Sequence, residues 1–336
     1  MAPESMVATR EHTMHRASVH VRAFQPEDYA AITDVYNRVD PDYPSTETEV
    51  REEDAMWDRD TYVQVRYVAA NPHTGELVGV AEYNHMPWSF DPGRFMAWIG
   101  VRPDRQRLGI GAVLYDRLLE DFRARRATAL RTFAREDRAE SIAFLGRRGF
   151  RELERSWESR LDLTTFDPAK FADRAGIPAG IEVVTLADEL VRDPESLHGV
   201  YELGSILAPD VPRLDPATTP DFDAWKKHAT GPWFLPEAWF LAKDGDRYVG
   251  QSDLGKSEAE PDLLYTGFTG VLREYRGRGI AWALKLRALM WAKERGYRSV
   301  RTWNSTRNAP MLGINVALGF EKQPAWVTFA KDLPEG

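Results

Sequence analysis

Two basic, glycine-bearing turns, at residues 101–111 and 271–281, have the composition of an anion-binding site. The first reads VRPDRQRLGIG and the second reads VLREYRGRGIA. In each, an extended apolar run leads into the turn and an amphipathic helix pattern follows. The first N–H groups of a helix lack partners within the helix, and the helix dipole adds partial positive charge at that end. Such a turn suits a phosphate or a pyrophosphate.

The two turns belong to two copies of one unit, residues 101–150 and 271–320. Gly109 corresponds to Gly279, and Phe150 corresponds to Phe320. Both offsets are 170 residues (279 − 109 and 320 − 150), so the copies align without a gap. A single turn of this kind occurs about as often on an ordinary surface as in a binding site. Its ungapped repetition instead indicates a duplicated functional unit.

The glycines of the turns let a backbone approach a phosphate with no side chain in between. The arginines nearby add hydrogen-bond donors. Other phosphate-binding loops fit less well, because the chain has no GxxxxGK[ST] run and neither turn spells G-x-G-x-x-G. The P-loop and dinucleotide-binding interpretations therefore lack their defining residues.

The spacings Gln106-x-x-Gly109-x-Gly111 and Arg276-x-x-Gly279-x-Ala281 resemble the acyl-CoA loop of the GNAT (Gcn5-related) N-acetyltransferase superfamily. Downstream, ESIAFLGRRGF and NAPMLGINVALGF resemble the later helix of that superfamily, which ends in Gly-Phe. The chain is thus similar to a tandem GNAT protein. The resemblance implies an α/β (α+β) fold with two GNAT-like domains, each a mixed, mostly antiparallel sheet with helices on both faces.

The resemblance also implies an acyl-CoA-dependent N-acyltransferase that uses acetyl-CoA or another acyl-CoA as co-substrate. A primary amine would attack the thioester directly, and the absence of cysteine is consistent with that mechanism. Backbone groups on the strand before each turn would hold the carbonyl and the pantetheine arm. The residues expected to bind the cofactor are Val101, Gln106, Arg107, Leu108, Gly109, Ile110 and Gly111 in the first half, and Val271, Arg276, Gly277, Arg278, Gly279, Ile280, Ala281, Asn304 and Asn308 in the second.

The acid that protonates the leaving thiolate is where this chain departs from the superfamily. Many relatives have a tyrosine four residues before the glycine of Gly-Phe, where this chain has Leu145 and Asn315. An aspartate or tyrosine from elsewhere in the chain, or a water held by Asn315, could do this work, or the thiolate could leave without strong assistance. Asn304 and Asn308 would join Asn315 in hydrogen-bonding the amide-rich cofactor arm. The alternative is that these two asparagines only end a strand and cap a helix.

Strand residues supply the candidates for the general base. Asp253 and Tyr265 lie on predicted strands of the second half. Glu82, Tyr83 and His85 lie at a comparable place in the first half. A carboxylate on a strand more often faces solvent, and a histidine in a loop is usually incidental. Four tryptophans could line an apolar acceptor site or pack in a core: Trp225, Trp233, Trp239 and Trp303.

A chain of 336 residues predicts about two domains. The pattern predicts a flexible tail over residues 1–18, a first GNAT-like domain over 19–162, a linker over 163–180 and a second domain over 181–336. The order of strands and helices repeats in the two halves. A proline-rich insert, Pro209–Pro236, interrupts the second half and predicts either a functional loop or packing against the other domain.

Composition limits the partners. A net charge of −8 argues against nucleic acid, and no apolar run approaches the 18 residues that a membrane span needs. No histidines have metal-ligand spacing, so no catalytic metal is expected. The chain has no cysteine and no signal-like segment, which predicts a cytoplasmic protein. Both a monomer and a homodimer remain open.

The second half has the fuller asparagine set and the aromatic insert, so it is predicted to be the catalytic half. The first half would then be a scaffold that still has an intact phosphate turn. Three alternatives stay open: both halves bind acyl-CoA and catalyse, the first half is the catalytic one, or the protein is a non-catalytic acyl-CoA sensor or scaffold. The amine acceptor is also open among an aminoglycoside, a polyamine, an amino-acid amine and a protein N-terminus.

Overall fold

A computed structural model describes residues 18–174 and 176–334. The predicted tail over 1–18 lies outside these residues except for Ser18. The elements of the first half are β1 His20–Ala23, α1 Tyr29–Val39, α2 Glu47–Met56, β2 Gln64–Ala70, β3 Leu77–Asn84, β4 Arg94–Val101, α3 Ile110–Ala124, β5 Ala129–Arg135, α4 Ala139–Gly146 and β6 Arg151–Asp162. Those of the second half are β7 Glu182–Thr185, α5 Leu186–Arg192, α6 Ser196–Leu207, α7 Phe222–Ala229, β8 Trp239–Asp244, β9 Arg247–Lys256, β10 Leu263–Val271, α8 Ile280–Glu294, β11 Ser299–Ser305, α9 Ala309–Ala317, β12 Glu321–Lys322 and β13 Trp326–Asp332.

The strands of both halves form one continuous sheet. Its order is β1-β2-β3-β4-β5-β13-β6-β11-β10-β9-β8-β7, and β12 pairs with β6 off this path. Two neighbouring pairs are parallel, β4 with β5 and β10 with β11, and the others are antiparallel. The predicted fold class, two mixed and mostly antiparallel GNAT-like units, is confirmed.

The closing strands of the two halves are exchanged. The last strand of the chain, β13, pairs with β5 of the first half, and β6 pairs with β11 of the second half. β13 and β6 also pair with each other at the centre of the sheet. Each half therefore completes its sheet with a strand from the other half. The division of the chain at 162 and 181 stays a prediction about sequence units.

Helices cover both faces because alternate strand residues point to opposite sides of a sheet. On β3, Val80 packs with Ile32 and Val35 of α1 on one face. Its neighbour Ala81 packs in the core that contains Leu114 of α3 on the other face. The helices α6 and α7 take the places of α1 and α2 in the second half, and α8 takes the place of α3.

The predicted linker and the proline-rich insert are both structured in part. Leu163 and Phe166 pack into the core of the second half, and a 3-10 helix spans Pro168–Arg174. The insert contains α7, and its Thr218 is hydrogen-bonded to the backbone of Trp88 and its neighbours in the first half. Packing against the other half, one of the two predictions for the insert, is therefore present.

Candidate active site

Both turns start their helices in the same way. Gly109 and Gly279 have φ of 86° and 84°, the left-handed region that glycine adopts without strain. The N–H groups of Val113 and Ala283, each four residues further on, donate to the glycine carbonyls at 3.2 and 3.0 Å. A Cβ placed on Gly279 would meet no atom within 4 Å, so the space beside it is open to a ligand. This geometry leaves amides free at the start of each helix to meet an anion.

The first residue of each motif ties the turn back to the preceding strand. The Gln106 side chain donates to the carbonyl of Val101 at 3.0 Å, and the Arg276 side chain donates to the carbonyl of Val271 at 3.0 Å. Arg276 is also ion-paired with Asp210, which follows α6. These contacts give the two motif residues a role in shaping the turn, which the sequence had not predicted.

The arginines closer to the helix start are more exposed. Arg107 has a positive φ of 65° and reaches Glu140 at 3.5 Å, whereas Gly277 takes the same conformation in the second turn with φ of 75°. The left-handed conformation is natural for glycine and unfavourable for arginine. Arg278 lies with its guanidinium 5.3 Å from the centroid of the Tyr275 ring. The second turn is therefore the less strained of the two.

The strands before the turns separate from their parallel neighbours. β4 pairs with β5 only from Arg94 to Met96, and β10 pairs with β11 only from Leu263 to Tyr265. Beyond these residues the edge of each strand up to Val101 or Val271 is not paired with that neighbour. The resemblance to the superfamily implies that the thioester and its pantetheine arm lie along this open backbone edge, which stays a prediction.

The three predicted asparagines have two kinds of environment: Asn304 and Asn315 are bonded to each other, whereas Asn308 caps a helix. Asn315 is 1% exposed and donates from Nδ2 to Oδ1 of Asn304 at 2.7 Å. Oδ1 of Asn315 has no hydrogen-bond partner among the described residues. Asn308 accepts from the N–H of Met311 and caps α9, the structural alternative that the sequence left open. The proposed cofactor contacts of all three stay predictions.

A cavity of about 950 Å³ lies beneath α6 and α7, and residues of the first half line another part of its wall. Asp253 and Tyr265, two of the predicted catalytic residues, are in its wall. Three of the four tryptophans suggested for an acceptor site also line it: Trp225, Trp233 and Trp239. Trp303 instead stacks on the ring of Tyr265 at 5.7 Å between centroids.

The first half contributes α2 and the segment before it to this cavity. Glu49 of α2 accepts from the side chain of Ser257 at 2.7 Å and from the N–H of Glu258 at 2.6 Å. The side chain of Thr46 donates to Glu258 at 2.8 Å. These bonds fix α2 against the turn between β9 and β10. The first-half residues in the wall are Tyr43, Pro44, Ser45, Thr48, Glu49, Glu52, Glu53 and Trp88.

Asp253 lies opposite an irregularity in the sheet. Its neighbours on β9, Ser252 and Leu254, pair with Thr269 and Thr266, so Gly267 and Phe268 together oppose it. The N–H of Phe268 donates to its Oδ1 at 2.7 Å. A bulge of this kind redirects a side chain and often lies beside an active site.

Burial raises the pKa of Asp253 to about 6, and the hydrogen bond from Phe268 offsets this only in part. No cationic side chain is paired with Asp253 among the described residues. The residue paired with Asp253 on the neighbouring strand β8 is Trp239, whose ring is apolar. A carboxylate with a pKa near 6 is mostly ionised at pH 7 and can still accept a proton, as a general base requires.

Tyr265 has a different environment. Its hydroxyl donates to Glu260, and the guanidinium of Arg301 lies 5.4 Å from its ring centroid. Burial and Glu260 raise the pKa of Tyr265 well above its usual value. The phenol is therefore held protonated, and its predicted catalytic role stays a prediction.

The candidate bases of the first half are occupied by other contacts. Glu82 is ion-paired with Arg66 at 2.8 Å and accepts from the hydroxyl of Tyr36 at 2.9 Å. Tyr83 is fully buried and donates to Asp121. His85 is 5% exposed and stacks on Phe95. These groups serve as structural contacts in the core.

The cavity wall carries more acid than base. Glu52 and Glu53 are exposed to solvent and make no ion pair among the described residues. The cationic residues of the wall are Arg213 and Lys256. The field in the cavity therefore favours a cation such as a protonated amine.

Sequence reasoning missed the contribution of α2 and of Gln251. α2 is an acidic helix with no motif, and only the tertiary structure brings it over the second half. Gln251 lies two residues before Asp253, so the period of two along a strand places both on one face. That alternation was the one signal from which Gln251 could have been found.

Two further expectations from the sequence concern a membrane-spanning segment and a catalytic metal. Within residues 18–174 and 176–334 no helix is both long and apolar enough to cross a bilayer. In the same part of the chain, no three histidine, cysteine or acidic side chains are grouped as metal ligands would be.

Comparison with known proteins identifies the family. The model of the Acetyltransferase (GNAT) family matches residues 32–150 and 201–320. The mycothiol acetyltransferase of Actinosynnema mirum is 28% identical over 261 residues, covering 75% of this chain and 80% of that protein. That of Thermobifida fusca is 27% identical over 255 residues, covering 71% and 75%.

Solved structures agree on the fold. A tandem GNAT protein from the clavulanic acid biosynthesis pathway superimposes with a TM-score of 0.75 at 20% identity, covering 95% of this chain and all of that one. A GCN5-related N-acetyltransferase from Sphaerobacter thermophilus gives 0.71 at 20% identity, covering 94% and 95%.

The chain belongs to the Acetyltransferase (GNAT) family and contains two GNAT regions. It is an acetyl-CoA-dependent N-acetyltransferase. Acetyl-CoA is the co-substrate of this family, and the group transferred is accepted by an amine.

Proposed function

We propose that the second half catalyses acetyl transfer, with Asp253 as the general base. The observation that carries this proposal is that Asp253 lies half-buried in the cavity wall without a cation partner among the described residues, with its pKa raised to about 6. Its counterpart in the first half, Glu82, is bonded to Arg66 and Tyr36. Only one of the two acids is thus free to take a proton.

In the proposed reaction the amine nitrogen attacks the thioester carbon and the carbonyl electron pair moves to oxygen. Asp253 takes a proton from the nitrogen. The tetrahedral centre then collapses, the C–S bond breaks, and the thiolate of CoA leaves and is protonated. Acetyl-CoA would lie along the open edge of β10, with its pyrophosphate on the amides that follow Gly279. The predicted part of Asn315 is to hold the water that protonates the thiolate.

The pKa of the proposed base also limits which amines can serve as acceptors. Ordinary α-amino groups have pKa values of about 8 and lysine-type amines of about 10.4. Proton transfer to a group with a pKa of about 6 is then uphill by about 3 kcal/mol from an α-amine and about 6 kcal/mol from an alkylamine, at 1.36 kcal/mol per unit. We therefore propose a weakly basic primary amine, such as the α-amine of an aminoacyl compound or a 2-amino sugar.

The relatives support the same class of acceptor. They are mycothiol acetyltransferases, and we propose the amine precursor of mycothiol as the first acceptor to test. A net acidic cavity wall would attract the protonated form of such an amine before it loses its proton.

The test is an acceptor screen with acetyl-CoA in which the released CoA thiol is titrated with a thiol-reactive dye. The panel contains the mycothiol precursor, an amino-acid amide, glucosamine, an aminoglycoside, a polyamine and a peptide with a free N-terminus. We expect turnover with the weakly basic amines and at least about tenfold lower kcat/KM with the polyamine. Tight binding of CoA in calorimetry with no thiol release from any amine would contradict the proposed function.

A further inference from the structure

A second polar side chain, that of Gln251, lies beside Asp253 in the cavity wall. Gln251 is 3% exposed and belongs to β9. Two residues of a strand span about 6.6 Å, and side chains two apart point to the same face. Its counterpart in the first half is Val80, because Val80 pairs with Gly100 as Gln251 pairs with Gly270. The polar group is therefore specific to the half that contains the cavity.

The orientation of the Gln251 amide is fixed by a single contact. Nε1 of Trp239 lies 3.2 Å from Oε1 of Gln251. An indole N–H is only a donor, so the carbonyl end of the amide must face it. The NH2 end then points away from Trp239, toward α6, where Gly204 presents no side chain. A Cβ on Gly204 would lie 3.8 Å from Nε2.

Nε2 of Gln251 has no hydrogen-bond acceptor among the described residues. Gln251 lines the cavity, so its two N–H groups are available to a molecule bound there. A buried amide that is anchored at one end and open at the other is preorganised to donate to an oxygen atom.

We propose that Nε2 of Gln251 donates a hydrogen bond to the thioester oxygen and stabilises it as it becomes an oxyanion. This inference rests on the proposed function. The spacing fits a tetrahedral centre between the two side chains: the attacking nitrogen lies at Asp253, and the oxygen that receives the carbonyl electron pair lies at Gln251.

The test compares Gln251→Met, which keeps the length of the side chain and removes the donor, with the wild type. Loss of one oxyanion donor reduces kcat by about 100-fold. We expect that loss, with the KM for acetyl-CoA within about twofold and the apparent pKa near 6 of the kcat profile unchanged. Ser252→Ala is the matched control, because Ser252 is the next residue of β9 and bonds to Thr269 rather than lining the cavity.

A second variant keeps the inference testable if Gln251→Met unfolds. Gln251→Glu has the same shape but offers no N–H, and it should lose at least as much kcat while binding CoA normally in calorimetry. A kcat within threefold of the wild type in either folded variant would overturn the inference, and so would a rise in the acceptor KM with kcat unchanged. If the wild type itself releases no thiol with any amine, the proposed function fails instead, which is a distinct result.

Discussion

The two halves place an acid at the same point of the same fold and surround it differently. In the first half, Arg66 opposes Glu82 across the sheet, and in the second half Trp239 opposes Asp253. The guanidinium of Arg66 is 11% exposed and is bonded to Asp54 as well as to Glu82. An acid beside a buried cation stays ionised as part of a structural pair, whereas an acid beside an indole is destabilised as an anion and becomes a base.

The neighbouring strand adds to this difference. Trp98 alone opposes Glu82 on β4 and packs edge-on against Tyr36 at 5.3 Å. In the second half the same stretch of β10 is bulged, with Gly267 facing Asp253, where a Cβ would lie 1.8 Å from the carboxylate. One half thus fills the space over its acid with side chains, while the other leaves a cavity.

The largest expected effect distinguishes the two acids. Asp253→Asn should lower kcat by about 10²–10⁴-fold, the usual contribution of a general base. Because burial of the carboxylate disfavours its ionised form, the variant should unfold at the same or a higher temperature. Thiol release and thermal unfolding measure the two effects.

Glu82→Gln is the matched variant in the first half. It should leave kcat within about twofold, because its partners are structural, and lower the unfolding temperature as Arg66 loses one partner. A kcat that survives Asp253→Asn and collapses in Glu82→Gln would assign catalysis to the first half.

The next largest effect is expected from substitutions at the glycines of the two turns. Gly279→Glu places a carboxylate and a strained left-handed residue where the pyrophosphate is expected, so the KM for acetyl-CoA should rise by more than about tenfold. Gly109→Glu makes the same change in the first turn and should leave the KM of the reaction within about twofold. Calorimetry with CoA on each variant reports whether the first half binds a second molecule. Equal loss of turnover in both variants would contradict the assignment to one half.

A smaller effect is expected in the pH profile. Activity should fall as the pH drops below about 6, because Asp253 must be ionised to accept a proton. Trp239→Arg restores the arrangement of the first half, and a guanidinium beside a carboxylate lowers its pKa by about 1–3 units. The acidic limb should move to lower pH and kcat should fall. Trp239→Phe, which adds no charge, should leave the limb in place, and a limb that moves equally in both variants would refute the electrostatic account.

The last prediction concerns stability rather than turnover. Lys285 of α8 is 2% exposed, its Nζ has no hydrogen-bond partner among the described residues, and burial lowers its pKa to about 7. The unfolded chain, in which a lysine titrates near about 10.4, binds more protons between these two values. Stability of the wild type should therefore rise with pH from about 7 to about 10.

The matched variant is Lys285→Met. It should be more stable by about 2 kcal/mol at pH 7, with a flatter dependence on pH and unchanged kcat. Chemical denaturation at pH 7 and pH 9.5 measures both values. A variant that is less stable at pH 7 would show that Lys285 contributes a contact rather than a buried charge.

The two glycine turns at the helix starts could be located from sequence because their signals are local. A glycine in the left-handed conformation and the amides after it depend on a few adjacent residues, and the ungapped repeat fixed the correspondence of Gly109 with Gly279. The order of strands and helices followed from periodicity for the same reason. α7 was the main helix missed, because it is short and lies among the prolines of the insert.

The sequence by itself thus determined the duplication, the position of the two glycine turns at the helix starts and, through its resemblance to a family, the class of chemistry. The exchange of β6 and β13, the cover that α2 forms over the second half, and the pairing of Glu82 but not Asp253 were decided by tertiary structure. Each depends on residues far apart in the chain: Arg66 lies 16 positions before Glu82, and Glu49 lies 209 positions before Glu258. The strength of an acid depends on such neighbours, so its residue type alone does not reveal it.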